Sequence, residues 1–183
     1  MNAAVYVIGT LAVVAALYFL LRRSVREYFR MRGSRVVTCP ENHETVAVQV
    51  DAGYAARTAA AGHERLRLES CTRWPEKAGC GQECLKQIED QPLDCLVRTQ
   101  VTHWYADKAC ALCGKSLRHV EWAEHKPALM SPGGSTLVWN DVKPEQIYEV
   151  FASHKAICWD CHIAETFRRQ RPDLVIDNPH ASR

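Results

Sequence analysis

The sequence predicts an α+β protein in which an apolar N-terminal helix precedes a cysteine-rich domain. The first 21 residues contain no charged side chain, which is typical of a helix in an apolar medium. In later segments, apolar residues recur at every second position in some stretches and at helical spacing in others, which indicates that the domain contains both strands and helices. Nine cysteines among 183 residues indicate either disulfides or bound metal. The charged and hydrophobic fractions, 24% and 47%, are ordinary for a globular protein.

Residues 1–21 are the predicted transmembrane anchor. A helix of this length crosses a hydrocarbon layer of about 30 Å. The alternative is a cleaved signal peptide, which would carry positive charge before the apolar run and a small-residue cleavage site after it. Instead, Arg22 and Arg23 follow the run directly, which favours a retained anchor. We expect the helix to continue through Phe29 and to end before Gly33.

Residues 22–35 form a basic juxtamembrane segment with six arginines and one glutamate. Positively charged flanks stay in the cytoplasm, so the sequence predicts a single-pass protein of the cell inner membrane, with its N-terminus outside and its soluble domain cytoplasmic. One interpretation of these arginines is simply the solvated end of a helix. If they instead lie against anionic lipid headgroups, each contributes about 1 kcal/mol to binding at the membrane surface. The expected contacts with anionic lipid headgroups are made by Arg22, Arg23, Arg26 and Arg30.

Charge distribution argues against nucleic acid as a partner. The juxtamembrane segment carries a formal charge of +5, which leaves about −3 of the total of +2 on residues 36–183. Proteins that bind nucleic acid usually present a basic face or stripe. After residue 35 no such stripe is evident, apart from the short basic stretch FRRQR at 167–171.

Cys158 and Cys161 belong to the stretch ICWDCH, whose spelling is typical of covalent haem attachment and also of half a zinc site. Haem attachment takes place on the outer side of the bacterial membrane, so the predicted orientation speaks against it. Stable disulfides are also rare in cytoplasm. Cys110 and Cys113 form a second pair with the same gap, and two pairs complete the tetrahedral shell of zinc. We therefore predict zinc bound by these four cysteines, with haem or a redox-active dithiol as alternatives.

The 44 residues between the two pairs contain signals for a hairpin and two helices. Pro-Gly-Gly separates two short apolar runs, Pro144 opens a helical pattern, and a further helix begins at the second cysteine pair and stops before Pro172. His162 on that helix either hydrogen-bonds a zinc ligand or lies on the surface. The order of elements over residues 108–172 resembles the treble-clef class of zinc sites. Residues 173–183 are a predicted C-terminal tail.

Residues 36–107 form a predicted cysteine-rich α+β lobe. Two alternating segments predict a β-hairpin, and a third alternating segment follows them. Cys80 and Cys84 are four apart at the start of a helical pattern, which places them on one helix face. Cys95 lies in an apolar helical pattern and is assigned to the core. The other cysteines either bind a second metal, zinc ahead of an iron–sulfur cluster, or are buried as small hydrophobes. The candidate second site consists of Cys39, Cys71, Cys80 and Cys84.

The sequence shows no recognisable catalytic arrangement, such as a phosphate-binding loop or an activated nucleophile. A zinc ion with four thiolates has no open position for a substrate. We therefore predict a non-enzymatic module, with a transmembrane helix and a small zinc-stabilised α+β domain, that acts in protein interaction or in assembly of a membrane complex. Trp159 is a candidate partner contact. Solvated polar residues, rather than a catalytic metal site, are expected at His119, Glu121, Glu124 and His125.

Three segments, VTCPENHE, CTRWPEKAGCGQECLKQIE and CWDCHIAETFRR, resemble segments of uncharacterised bacterial single-pass, membrane-anchored, Cys-rich proteins. The resemblance implies the same architecture of anchor and Cys-rich domain. It implies no mechanism.

Overall fold

A computed structural model describes residues 2–77, 79–119, 122 and 126–174. The chain divides into two compact units, Met1–Thr99 and Gln100–Arg183. The predicted α+β class is confirmed. The helices are α1 (Asn2–Met31), α2 (Ala52–Ala60), α3 (Leu85–Asp90), α4 (Val97–Ala106), α5 (Ile147–Ser153) and α6 (Trp159–Gln170). The strands are β1 (Ser34–Thr38), β2 (Thr45–Val50), β3 (Leu68–Cys71), β4 (Ala128–Met130), β5 (Thr136–Val138) and β6 (Lys155–Ile157).

Helix α1 exposes apolar side chains from Tyr6 to Phe29, and its buried described side chains lie near its C-terminal end. The stretch Tyr6–Met31 is long and apolar enough to cross a membrane, a test that a signal sequence also passes. Glu27 and Met31, one turn apart, are buried where the helix contacts α2. The helix ends as predicted, because Gly33 adopts φ +111°, a conformation that favours glycine.

The buried side chain of Arg35 caps the C-terminal end of α1. Its guanidinium donates hydrogen bonds to the carbonyl oxygens of Arg30 at 2.6 Å and Met31 at 2.5 Å. It also reaches the carbonyl oxygens of Gly33 at 3.1 Å and Pro92 at 3.3 Å. A cation at this position satisfies carbonyls that the helix leaves open and complements the helix dipole. Arg35 therefore joins the fold, unlike the exposed arginines of the basic segment.

Three antiparallel strands form the sheet of the first unit, in the order β1-β2-β3. The predicted hairpin and the third alternating segment are thus confirmed. Val46, Val48 and Val50 alternate along β2 and join the core. Val36 and Ala47, which pair with each other on the opposite face, are also buried. Both faces of the sheet are covered.

Helix α2 adds an element that the strand patterns did not predict. Asp51 caps its first turn, because the Asp51 carboxylate accepts a hydrogen bond from the Tyr54 N–H at 2.7 Å. The alanines of this helix bury one face against the core. Small side chains allow the close approach of α1 and the sheet.

The predicted shared helix face of Cys80 and Cys84 is wrong. Helix α3 begins at Leu85 with Cys84 at its N-cap, and Cys80 lies in the preceding turn. Gln82, between the two cysteines, has φ +56°, which breaks the helical path. Periodicity did not reveal this turn because Gln seldom adopts a left-handed conformation.

Cys95 packs against the core of the first unit, as predicted, but it precedes helix α4 instead of lying on it. Its carbonyl oxygen accepts a hydrogen bond from the Val36 N–H at 2.9 Å. This bond places the Cys95 segment along the outer edge of β1. The thiol is half-buried and lies 3.7 Å from the Gln87 carbonyl oxygen.

The second unit contains a small antiparallel sheet in the order β5-β4-β6. The predicted hairpin is β4 and β5. The helix predicted at Pro144 begins as a 3-10 turn and becomes α5 at Ile147. The buried hydroxyl of Tyr105 donates to the Ala128 carbonyl at 2.7 Å and accepts from the Trp139 indole at 3.1 Å. These bonds join α4, the hairpin and the segment after it.

Candidate metal centre

Cys110 and Cys113 lie on a tight turn whose backbone reverses the chain. The Cys110 N–H donates to the Lys115 carbonyl oxygen at 2.8 Å, and the Gly114 N–H donates to the Cys110 carbonyl oxygen at 2.9 Å. Gly114 has φ +75° and an open space around its α-carbon. Glycine adopts this conformation without steric cost, so the turn closes directly after the second cysteine.

Cys158 and Cys161 are brought to the same place by β6 and α6. Cys158 is the N-cap residue of α6, and Cys161 lies in its first turn, as predicted. The Ala156 carbonyl oxygen on β6 accepts a hydrogen bond from the Ala111 N–H at 2.9 Å. This bond fixes the strand leading to the second pair beside the turn that carries the first.

The four sulfur atoms of this cluster lie within 4.8 Å of one another. The Sγ atoms of Cys113 and Cys158 are 3.7 Å apart, and the Cys158 N–H points at Cys110 Sγ at 3.3 Å. Zn–S bonds of about 2.3 Å in a tetrahedron place sulfur atoms about 3.8 Å apart. The cluster is therefore able to hold a metal ion, and no sulfur pair needs to close by more than about 1 Å to complete the shell. The group consists of Cys110, Cys113, Cys158 and Cys161.

The protein environment favours a thiolate at Cys110. Burial alone would raise the pKa of this thiol, but the N–H groups of Cys113, Cys158 and Leu112 outweigh it and hold the pKa at about 6. Burial and the neighbouring thiols raise the pKa of Cys161. At neutral pH, Cys110 is thus available as a thiolate, whereas Cys161 keeps its proton until a bound cation displaces it.

Among the described residues, the His162 side chain makes no hydrogen bond to a cysteine sulfur. Burial lowers the pKa of its imidazole, and its Nδ1 is buried without a hydrogen-bond partner in the described part of the chain. The ring lies beside the half-buried indole of Trp159, with centroids 5.3 Å apart. The surface position and the ligand hydrogen bond predicted as alternatives for His162 are both replaced by partial burial against Trp159.

The candidate second site lies in the first unit. Cys84 is buried and the other three cysteines are half-buried. All four line one cavity of about 130 Å³, which also borders Trp74 and Arg73. Within the described residues, the sulfurs of this set do not gather as closely as those of the Cys110 cluster. The set consists of Cys39, Cys71, Cys80 and Cys84.

Other predicted candidates contribute no described ligand. His43 lies in the turn after Cys39 with φ +58°. His119 is exposed. Glu121, Glu124 and His125 lie outside the described residues.

The fold and the site together define an α+β protein with a candidate membrane-spanning helix and a four-cysteine cluster able to bind metal. Comparisons with protein-family models, with curated proteins and with solved structures found no match. The helix and the cluster agree with the predicted resemblance to membrane-anchored Cys-rich proteins only in these two general features.

Proposed function

We propose that the protein is a membrane-anchored zinc-binding module without enzymatic activity that acts in protein interaction or in assembly of a membrane complex. The observation that carries the proposal is the convergence of four cysteine sulfurs within 4.8 Å. Thiolates in a tetrahedral arrangement are the preferred ligands of zinc and of iron–sulfur centres. The cysteines on the turn and at the start of α6, with the β4–β5 hairpin between them, follow the treble-clef order and support zinc.

A structural role follows from the ligand set. Four thiolates fill the coordination shell of zinc and leave no position for a substrate or an activated water. Such a site stabilises the folded state, with apparent binding free energies of about 10–16 kcal/mol in small zinc domains. The three strands of the second unit have three residues each. Because so few hydrogen bonds join them, a bound metal would supply a large part of the stability of this unit.

Attachment to a membrane is the second part of the proposal. The side chains from Tyr6 to Leu21 present exposed apolar surface, and the exposed Arg22 and Arg26 follow it. Arg23 pairs with Glu64 at 3.6 Å, an exposed ion pair that anionic lipid can replace. By the positive-inside rule, the soluble part lies in the cytoplasm of an inner-membrane protein, where thiols stay reduced.

Helix α6 offers a surface for a protein partner. Ile163 and Phe167, four residues apart on one helix face, are 49% and 48% exposed. Trp159, one turn earlier, is half-buried beside His162. Large apolar and aromatic side chains of this kind dominate the energetics of protein interfaces. Because the metal cluster holds the first turn of α6, the metal would also orient this strip.

The test of the metal is elemental analysis and a visible spectrum of the full-length protein, purified in detergent from its native membrane. The expected result is zinc without visible colour, with the zinc ion of the Cys110 cluster lost in Cys113→Ser after dialysis against a competing chelator. Cys95→Ser is the control, because Cys95 belongs to the first unit and is not a member of the cluster. An absorption band that survives denaturation would instead indicate haem on Cys158 and Cys161. Zinc release by mild oxidant would favour a thiol-based redox sensor, for which the exposed Cys113 is the accessible group.

The test of the interaction role is site-specific photo-crosslinking in intact membranes. A crosslinker at Phe167 is expected to give a defined protein adduct, whereas one at the exposed Lys155 of β6 is not. The adduct should disappear when Cys113→Ser is added, since α6 then loses its metal-bound first turn. Equal labelling from both positions would contradict a specific partner surface on α6.

A further inference from the structure

The backbone of the turn at Cys39 repeats the backbone of the turn at Cys110. The Cys39 N–H donates to the Glu44 carbonyl oxygen at 2.8 Å, and the His43 N–H donates to the Cys39 carbonyl oxygen at 2.9 Å. The equivalent bonds at Cys110 measure 2.8 and 2.9 Å. The fifth residue is left-handed in both turns, with φ +58° at His43 and +75° at Gly114. The sequence hides this likeness, because His replaces the expected glycine.

The backbone of the Cys39 turn also favours a thiolate, as the backbone of the Cys110 turn does. The N–H groups of Glu41 and Asn42 lower the pKa of the Cys39 thiol, and those of Leu112 and Cys113 lower the pKa of the Cys110 thiol. Asn42 occupies the place that Cys113 occupies in the other turn. A metal at Cys39 must therefore take its remaining ligands from elsewhere in the first unit.

Three cysteines from two other segments reach the same cavity. Cys71 ends β3, which pairs with β2 beside the Cys39 turn. Cys80 and Cys84 flank the left-handed Gln82, whose side-chain oxygen accepts a hydrogen bond from the Leu68 N–H at 3.0 Å. That bond holds the loop against the start of β3. The cavity of about 130 Å³ is bordered by all four thiols, three of which are half-buried and not packed fully into the core.

The charges around the cavity suit a cluster of thiolates. Arg73 donates from Nη1 to Cys39 Sγ at 3.1 Å and to the Glu41 carboxylate at 2.8 Å. Burial opposes ionisation of Cys39, but the turn N–H groups and Arg73 lower its pKa below the ordinary value. Burial, followed by the thiols of Cys71, Cys80 and Cys39, raises the pKa of Cys84 to about 11. The four groups are thus close enough to repel one another as anions, a repulsion that a divalent cation would remove.

We propose that the Cys39 turn, the end of β3 and the loop before α3 form a second zinc site in the first unit. Zinc binds to the four sulfurs, and the thiol protons pass to solvent. The sulfurs must draw closer together on binding, because they are more widely spread than those of the Cys110 cluster. Arg73 then offsets part of the negative charge of the tetrathiolate. The site has a closed shell and stabilises the fold around the helix that leaves for the membrane. Its ligands are Cys39, Cys71, Cys80 and Cys84.

The experiment counts zinc in full-length detergent-solubilised protein after dialysis against a competing chelator. The wild type and the Cys95→Ser control are expected to retain about two zinc ions per chain, and Cys71→Ser and Cys113→Ser about one each. One zinc in the wild type that survives in Cys71→Ser but not in Cys113→Ser would overturn the second site and leave the Cys110 centre intact. Two zinc ions in Cys113→Ser would instead contradict the proposed function.

A second measurement requires no variant and so does not depend on folding of a mutant. Native wild-type protein is alkylated with and without a strong chelator, and each cysteine is mapped by mass spectrometry. Zinc is expected to protect the half-buried Cys80 at least tenfold in rate, and chelator should remove the protection. Cys95 should react at the same rate in both samples. Equal alkylation of Cys80 in the two samples would overturn the site.

Discussion

The two cysteine turns share a backbone but differ in how the rest of each site is supplied. The turn at Cys110 carries its own second ligand, Cys113, and is held by a hydrogen bond from Ala111 to the strand that delivers the other pair. The turn at Cys39 has Asn42 at that position, and its partners come from two separate segments. Only the first set gathers its sulfurs within 4.8 Å among the described residues. The shared turn backbone therefore positions the first sulfur of each set, and the packing of neighbouring elements decides whether the other sulfurs come close to it.

The units also differ in what holds them together. In the first unit, β1 and β2 have five and six residues, and their side chains form an apolar core with Leu68 and Ile88. The second unit has three-residue strands around Leu129 and Ile157. Metal loss should therefore damage the second unit more than the first.

The largest expected effect is loss of the second unit's protection on removal of its metal. Cys113→Ser removes one of four ligands, and metal contributes up to about 10–16 kcal/mol in small zinc domains. Amide hydrogen exchange of β4, β6 and α6 should accelerate by several orders of magnitude, while amides of β2 stay protected. Unchanged exchange in β6 would show that packing alone holds this unit. Cys95→Ser serves as the control.

The next effect tests whether the first unit depends on the buried guanidinium at the end of α1. Arg35→Met leaves carbonyl oxygens of Arg30, Met31 and Gly33 without their donor and should reduce the free energy of unfolding by about 3 kcal/mol. The exposed Arg32→Met is the matched control and should cost less than about 0.5 kcal/mol. Urea unfolding in detergent measures both variants. Equal costs would contradict the capping role.

A third effect concerns the polar contact inside the second unit. Tyr105→Phe leaves the Ala128 carbonyl and the Trp139 indole N–H without their hydrogen bonds, a loss of about 2 kcal/mol. Tyr148→Phe is the control, since its exposed hydroxyl bonds to Gln100. Thermal unfolding of the metal-bound protein reports the difference. If the two variants lose equal stability, the buried network contributes nothing beyond the metal.

Acidification should release metal from the Cys110 centre. The pKa of Cys110 is depressed to about 6, so its thiolate is available above that pH and protonates as the pH falls through it. Below about pH 6, affinity should fall by at least about tenfold per pH unit, because each lost thiolate must be re-formed. The thiolate-to-cobalt absorption band of the Co²⁺-substituted protein measures this loss. A constant affinity between about pH 7 and pH 5 would contradict the assignment.

The smallest effect compares the fifth residues of the two turns. His43→Gly relieves a left-handed histidine and should stabilise the first unit by about 0.5–1 kcal/mol. Gly114→Ala introduces the same strain at a position where the space is open, and it should destabilise by about 1 kcal/mol. Denaturant unfolding of both variants measures whether each substitution raises or lowers the free energy of unfolding. A loss of stability in His43→Gly would mean that the histidine side chain matters more than its backbone conformation.

Much of the fold was predictable from local patterns. The uncharged first 21 residues predicted the long helix, alternation predicted β1, β2 and β3, and Pro-Gly-Gly predicted the β4–β5 hairpin. The four-cysteine cluster was predictable because both of its pairs have the same short spacing, which is a local signal. The capped end of α1 was not, since Arg35 looks in sequence like its exposed neighbours and only the packing of β1 and Pro92 around it reveals its role.

The sequence by itself determined the long first helix, the strands of both hairpins and which two cysteine pairs belong together, because turn residues and periodicity act over a few positions. Only the tertiary structure decided that Cys80 lies outside α3, and that it shares a cavity with Cys39, Cys71 and Cys84. Cysteines from three segments line this cavity because β3 pairs with β2 and Gln82 holds the loop against β3. These cysteines lie up to 45 positions apart in the sequence. No short-range pattern records that they share a cavity.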